Sequence, residues 1–569
     1  MMAKKLSSFL LGLVILLTLT VPASAAQNQT ITVDPINVMV GGNIFLPTDV
    51  NGKDVPVFVY SGTTYAPLRA LAEAYGLIVG YNGEKKLATV DGTPREGFSE
   101  TRGTAPALTK RTSISVAPIN IEVNGEVFKP KDANGKEVAV FVYNGTTYAP
   151  LRALAESYGL TVGYDGEKKL ATVDFVDNPS ERTFVTWDGS VAQNFAKGSG
   201  SSNHPYIIET PQELAFLASK VNSGNSFAGK FFLLANDLDL ACIEWTPIGS
   251  YSKGFNGHFD GAGHMIIGLS ITKADSDTSG QNYWHDSIEC IGLFGLAGDK
   301  SYIGNLYIEG TIDINKPDAP EKDDVIAGGI VGMTRGTVYN CHNACDISVS
   351  IPSDGTYINI GGVSGCYTWE TGLVDSCSNT GTLFGKGIHV VRIGGVCGDN
   401  DGHGMVRNCV NFGSLLADCT MSDYVGGIVA HTANSTIYNC ANYGAVQGSG
   451  SLGGIVGRQY GTDSFGGDGC IINCLSVSAV ISDNRRTYAG AICGDAVYGT
   501  IDMCYYDGSD RAVDYVNNAL VQTVIPASQM TAEELLNALN TWAGENNAGD
   551  EIYTTWVLDS HGRVVPITN

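Results

Sequence analysis

All fourteen cysteines lie between Cys242 and Cys504, and six recur at one position of a repeating pattern: Cys341, Cys377, Cys409, Cys440, Cys474 and Cys504. Thiols support cross-linking, metal ligation or nucleophilic chemistry. An even count favours disulfides in an oxidising compartment. The strict recurrence favours a different reading, in which each thiol points into an interior and acts as a small hydrophobe. A mostly reduced ladder is expected. Cys341/Cys345 and Cys470/Cys474 also form two Cys-x3-Cys pairs, but a zinc site needs four converging ligands and both pairs fall inside ordinary repeats. His258, Asp260 and His264 in "NGHFDGAGH" are a further candidate metal set, which the surrounding glycines equally describe as a tight turn. No set is complete, so no metal, cofactor or catalytic residue is assigned.

The chain's start bears on where such groups would work. Lys4 and Lys5 precede an apolar run from Phe9 to Val21, and Ala23-Ser24-Ala25 supplies small residues for cleavage, so 1–25 reads as a signal peptide. No later segment offers the ~20 apolar residues of a spanning helix. The expectation is a secreted or cell-surface-associated protein without membrane insertion. The formal charge of −24 becomes −26 once Lys4 and Lys5 are removed, a balance that repels phosphate backbones and excludes nucleic acid as a partner. With 569 residues, 71 glycines and 16% charged residues, the chain reads as several β-rich domains. Nothing in it specifies an oligomeric state.

Two stretches are nearly the same module. Tyr65 to Val90 and Tyr148 to Val173 align at an offset of 83, differing only at Ala74/Ser157, Ile78/Thr161 and Asn82/Asp165. In "PLRALAEAYG", Pro67 suits a first helical turn, Leu68, Leu71, Ala72 and Tyr75 share a face, and Gly76 provides the stop. A hairpin through Asn82-Gly83 or Asp165-Gly166 follows. "VPVFVY", "VAVFVY", "ITVDPINVMV" and "ISVAPINIEV" read as upstream strands. Each copy is thus a small α+β unit, at 28–93 and 113–176, with linkers at 94–112 and 177–184. Both copies resemble the copper amine oxidase N-terminal, or stalk, domain, which occurs in tandem on secreted proteins of Gram-positive bacteria. That resemblance imports no copper chemistry: the nearest approach to the catalytic motif is Asn282-Tyr283-Trp284, and no His-x-His pair occurs. Arg69/Glu73 and Arg152/Glu156, four apart on a helix, read as exposed ion pairs.

From Trp187 the grammar changes. A helix over Pro211 to Val221 leads into short strands, and then "GGIVG" at Gly328, "GGVSG" at Gly361, "GGVCG" at Gly394, "GGIVA" at Gly426, "GGIVG" at Gly453 and "GAICG" at Gly490 mark a repeat. Strands this short cannot bury themselves, but stacked coils about 4.8 Å apart can. The expected fold over 185–510 is a right-handed parallel β-helix. "NTG", "NFG" and "NYG" (from Asn379, Asn411 and Asn442) should form its turns, with asparagine in left-handed φ and bonded to the next coil. The tail 511–569, with Thr531 and Glu534 as a capping box before Leu535, Leu536 and Leu539, should form a short helical cap on the solenoid's open end.

The repeat region resembles the GLUG-type repeats of bacterial surface proteins and of the non-catalytic parts of immunoglobulin-A-cleaving metallopeptidases. The resemblance implies a fold and a location more than a reaction, since His-Glu-x-x-His is absent. Gly402-His403-Gly404 is similar to the Gly-His-Gly of pectin-cleaving β-helix hydrolases. Their paired aspartates and Arg-x-Lys are not reproduced: Asp323-Asp324 is remote, Asn379-Thr380 leads to Gly381, and Arg392 is followed by Ile393 and Gly394.

The function expected is therefore an exported, non-enzymatic surface or extracellular-matrix protein whose stalk modules present a β-helical rod that binds glycan or protein. The cell wall is a further partner to consider. The alternative is a β-helix polysaccharide hydrolase or lyase. What discriminates them is whether acidic and basic side chains converge in one groove. The irregular stretches Lys273 to Glu289 and Lys316 to Asp324 read as exposed loops.

Overall fold

The computed structural model describes most of residues 29–566; the segments 92–107, 176–182, 274–286 and 461–468, and several shorter ones, lie outside the description, as do residues 1–28. The chain divides into two compact units, one up to Asp174 and one running from Phe175 to Asn569.

In the first unit the two copies of the module are interlocked. Strand Gln29–Pro35 of the first copy pairs antiparallel with Thr112–Val123 of the second, with Ile31 opposite Ile114. Thr63–Pro67 likewise pairs with Thr146–Pro150, Ala66 opposite Ala149. Both contacts join equivalent positions 83 residues apart, the signature of a local twofold axis. The outer strands are exchanged reciprocally: Leu87–Asp91 runs parallel to the second copy's Thr112–Val123, and Leu170–Phe175 parallel to the first copy's Asn37–Val40. Phe58, Tyr65, Phe141 and Tyr148 interleave in one shared core. Duplication thus supplies each copy with the partner strand that completes its sheet. Pro67 and Pro150 end strands instead of opening helices, and the helices are the short segments Leu68–Glu73 and Leu151–Glu156. The side chains of Glu73 and Glu156, and so both expected ion pairs, lie outside the described residues.

The second unit is a parallel β-solenoid. Helix Pro211–Asn222, capped by Thr210, covers its entry next to strands Phe231–Leu234 and His258–Ile271. Successive coils then stack into a 24-stranded, a seven-stranded and an eight-stranded sheet. In a typical coil, Tyr357–Gly361 belongs to the seven-stranded sheet. The Gly361-Gly362 corner leads to Ser364–Thr368 in the eight-stranded sheet, and Leu373–Asp375, Ser378–Asn379 and Leu383–Gly387 return along the third face. The corner requires glycine: a Cβ on Gly361, Gly394, Gly426 or Gly453 would stand 1.7–1.9 Å from the carbonyl oxygen three residues ahead. Isoleucine, valine and leucine fill the interior, and the six recurrent cysteines stack within it, all fully buried and all free.

Asparagine forms two ladders. In the first, Asn343, Asn379, Asn411 and Asn442 are buried, and the Nδ2 of each of the first three donates to the next Oδ1 at 2.8–2.9 Å. Each also closes its own turn, accepting from the N–H and donating to the C=O two residues on, as at Asn411 with Gly413. These asparagines do not carry the left-handed φ expected of them. That conformation belongs to the residue before each recurrent cysteine, including Asn340, Asn408, Asn439 and Asn473. The last three form the second ladder, bonded side chain to side chain at 2.8 Å. The first ladder keeps ordinary backbone geometry because its side chains, not its φ angles, make the turn.

The tail behaves differently from expectation. Helix Ala532–Asn546 has the predicted capping box of Thr531 and Glu534. With the hairpin Trp556–Leu558/Val564–Pro566, however, it packs on the flank of the last coils, over Val410, Ala441, Leu475 and Tyr505. Asn473 Nδ2 donates to Leu539 O at 3.1 Å, and Asn439 Nδ2 to Thr554 O at 3.0 Å. The second asparagine ladder thus offers polar sites, beside apolar neighbours, that a lateral element can use.

Candidate functional site

The glycine corner creates the site. Side chains alternate along a strand, so the residue two before the first corner glycine and the residue just after the motif's fifth position both point away from the core. Across the tight corner they face one another. Stacking the coils converts these two positions into two facing columns. One runs Asn359, Arg392, Tyr424, Ser451, Tyr488; the other runs Cys366, Asp399, His431, Arg458, Asp495, Tyr515.

The groove between them changes character along the axis. Toward the N-terminal coils it is closed by a small apolar cluster of Ile288, Cys290, Leu296, Ile326, Met333 and Cys366, separate from the interior core. From Arg392 onward it is charged and aromatic. The Arg392 guanidinium pairs with Asp399 Oδ2 across the corner, and His431 Nδ1 meets Asp399 Oδ1 at 2.9 Å. Arg458 pairs with Asp495 Oδ2 at 3.1 Å and donates to Tyr424 Oη at 3.1 Å. Arg392 also lies over the rings of Tyr357 and Tyr424, and Arg458 over Tyr424 and Tyr460. Tyr460, Tyr488 and Tyr515 expose about 40% of their surface, with Tyr488 and Tyr515 rings 4.9 Å apart.

Electrostatics separates the two acids. Burial raises the Asp399 pKa, but Arg392 and His431 outweigh it, so the carboxyl is held below the usual range. At Asp495 burial prevails over Arg458 and His431, and the pKa is raised. Asp495 Oδ1 and Arg392 Nε are buried with no hydrogen-bond partner. A bound ligand that completed their bonding would remove the cost of leaving such groups unpaired.

This groove answers the discriminating question with a convergence of acids and bases, and it lies in the regular repeat instead of in the irregular stretches. Of the residues weighed from sequence, it uses only Arg392, there set aside as a failed Arg-x-Lys. Asp399, His431, Arg458 and Asp495 were missed. Their signal is legible as the column following each corner motif: "GGVCGD", "GGIVAH", "GGIVGR" and "GAICGD".

The other candidates do not assemble. His264 Nδ1 meets Asp237 Oδ1 at 3.0 Å, His258 stacks on Tyr302 at 4.2 Å, and Asp260 Oδ1 accepts from Ala262 N and Asn305 Nδ2. Cys341 and Cys345 occupy different interior positions, and Cys470 is half-buried while Cys474 faces the core. Asp324 accepts from Tyr357 N at 2.9 Å, and Lys316 pairs with the buried Glu289, so neither irregular stretch is a wholly exposed loop. His403 and Asn282-Tyr283-Trp284 lie outside the described residues.

No protein-family model matches the chain. A protein of Evansella cellulosilytica provisionally named a Gly-rich membrane protein is 31% identical over 152 residues, which are 26% of this chain and 15% of that protein. Halomucin of Haloquadratum walsbyi is 27% identical over 266 residues, 42% of this chain and 3% of its own length. The chain therefore spans only a small part of these relatives. Among solved structures, a provisionally assigned immunoglobulin A1 protease from Bacteroides ovatus aligns at 18% identity and a TM-score of 0.41, covering 66% of this chain and 96% of that one. Among the described residues, no helix is long and apolar enough to cross a membrane.

Proposed function

We propose that this chain is an exported surface or matrix protein whose solenoid binds an extended glycan along the corner groove, while the duplicated N-terminal unit serves as a stalk. The single observation that carries this reading is the facing pair of columns, where the paired charges of Arg392, Asp399, Arg458 and Asp495 lead at rung spacing to the exposed rings of Tyr488 and Tyr515. Each coil advances the groove by about 4.8 Å, close to the length of one pyranose unit. Tyrosine rings offer flat apolar platforms for sugar faces, and Asp495, His431 and the two arginines offer directed polar bonds.

The spacing of the acids favours recognition over hydrolysis. Asp399 and Asp495 sit three rungs apart, about 14 Å, whereas paired glycosidase carboxylates lie roughly 5 to 9.5 Å apart. The test is a glycan array probed with the chain from Gln27 onward, with hits titrated against Tyr488→Ala and His431→Ala. Each variant should weaken binding at least tenfold, while Met421→Ala, at an exposed position, should not. Unchanged affinity in both groove variants refutes the site. Cleavage of a hit that is abolished by Asp399→Asn would replace the binding reading with an enzymatic one.

A further inference from the structure

The interlocked N-terminal unit contains a cavity of about 390 Å³ that no single copy of the module could form. Asp49, Lys53 and Asp54 reach it from the first copy, Tyr143 and Tyr148 from the second, and Lys110 from the segment leading into the second copy. The side chain of Tyr148 is fully buried, yet its hydroxyl has no hydrogen-bond partner. Burial, reinforced by Tyr143 and Asp49, raises its pKa and keeps the phenol neutral, able both to donate and to accept.

Some of the lining differs between the copies. Between Asp49 and Gly62 the first copy differs from the second at four positions: Val50/Ala133, Asp54/Glu137, Pro56/Ala139 and Ser61/Asn144. Asp54, Pro56 and Asn144 all line the cavity.

We propose that this cavity binds a small uncharged ligand of the N-acetylhexosamine class. Its two carboxylates and two ammonium groups balance, which suits a neutral ligand over an ionic one. The acids and lysines provide acceptors and donors for vicinal hydroxyls. Val33, Val55, Leu108 and Ile114 provide an apolar wall for an acetyl methyl, and the Tyr148 hydroxyl provides the missing partner for the amide. The volume suits one or two sugar rings. The site is independent of the solenoid groove.

The experiment is saturation-transfer NMR on the chain from Gln27 onward with N-acetylglucosamine, N,N′-diacetylchitobiose and glucose as probes, followed by calorimetric titration. The acetyl methyl of the first two should be saturated, and glucose should bind at least tenfold more weakly. Tyr148→Phe keeps the ring and removes a hydroxyl that bonds nothing in the free protein, so its melting temperature should not fall. It should nevertheless lose affinity about tenfold. Tyr65→Phe, at the equivalent position of the other copy, should keep it, as should the groove variant Tyr488→Ala. Absence of binding by both acetylated sugars, equal binding of glucose, or undiminished binding by Tyr148→Phe would each overturn the proposal.

Discussion

Replacing Asn411 by alanine tests the reading that side-chain ladders, and not only apolar burial, hold the coils in register. Asn411 is fully buried and makes four hydrogen bonds. Its Oδ1 accepts from Asn379 Nδ2 at 2.9 Å and from Gly413 N at 3.1 Å, and its Nδ2 donates to Asn442 Oδ1 at 2.8 Å and to Gly413 O at 2.9 Å. At about 1 kcal/mol net per bond, with Gly413 left partnerless in a buried turn, the loss should be about 4 kcal/mol. Because a solenoid's stability is carried by nearest-neighbour interfaces, the damage should be local. Urea unfolding should show the loss in the solenoid transition, and amide exchange should accelerate first at Gly381, Gly413 and Gly444. Asp418→Ala, which breaks an exposed pair with Lys386, is the control and should stay within about 0.5 kcal/mol. Asn411→Asp should be as harmful at pH 7, since it sets a carboxylate against the Gly413 and Asn442 oxygens, and should recover partly in acid as the carboxyl regains a proton to donate. A loss below about 1 kcal/mol for Asn411→Ala, or uniform acceleration of exchange over all coils, would refute the ladder as a stabilising element.

Three further outcomes are expected. Asp399→Asn should cost about 3 kcal/mol at pH 7 by leaving Arg392 and His431 without their charged partner. Because the native Asp399 pKa is depressed, its contribution is present above the unfolded value near 4 and lost as pH falls through the lower native value; the difference between wild type and variant in pH-dependent melting should shrink toward zero below about pH 4. Burial raises the pKa of Cys341, Cys409, Cys440 and Cys504, so a thiol reagent should modify the exposed Cys242 first in native protein and reach the ladder only after denaturation, as read by mass spectrometry. A fragment of Gln27 to Asp177 should unfold in one cooperative transition. Gln27 to Asp91 alone should fold only as a dimer, its helical signal rising with concentration, because its sheets lack the strands that the second copy supplies.

The β-helix was legible because its causes are local and periodic. Gly-Gly corners, four- to six-residue apolar runs and recurrent Asn-Cys pairs each follow from what one coil needs, and repetition makes every coil state the same requirement. The inward cysteine ladder and the capping box at Thr531 were readable for the same reason: their partners lie at fixed offsets in sequence. The sequence also exposed the duplication itself. Three features were decided only by the tertiary structure. Strand exchange between the copies depends on which edges meet, and identical copies make pairing within a copy and pairing between copies equivalent by local chemistry. The lateral position of the tail depends on the apolar and polar groups that the asparagine turns leave on the solenoid's flank, at separations of more than 100 residues. The groove depends on the corner folding tightly enough to turn two outward-facing positions toward each other. Arg392 and Asp399 are seven residues apart, and His431, Arg458 and Asp495 come from later coils; only stacking at one rung per coil, which fixes separation in space regardless of separation in sequence, brings them into one site.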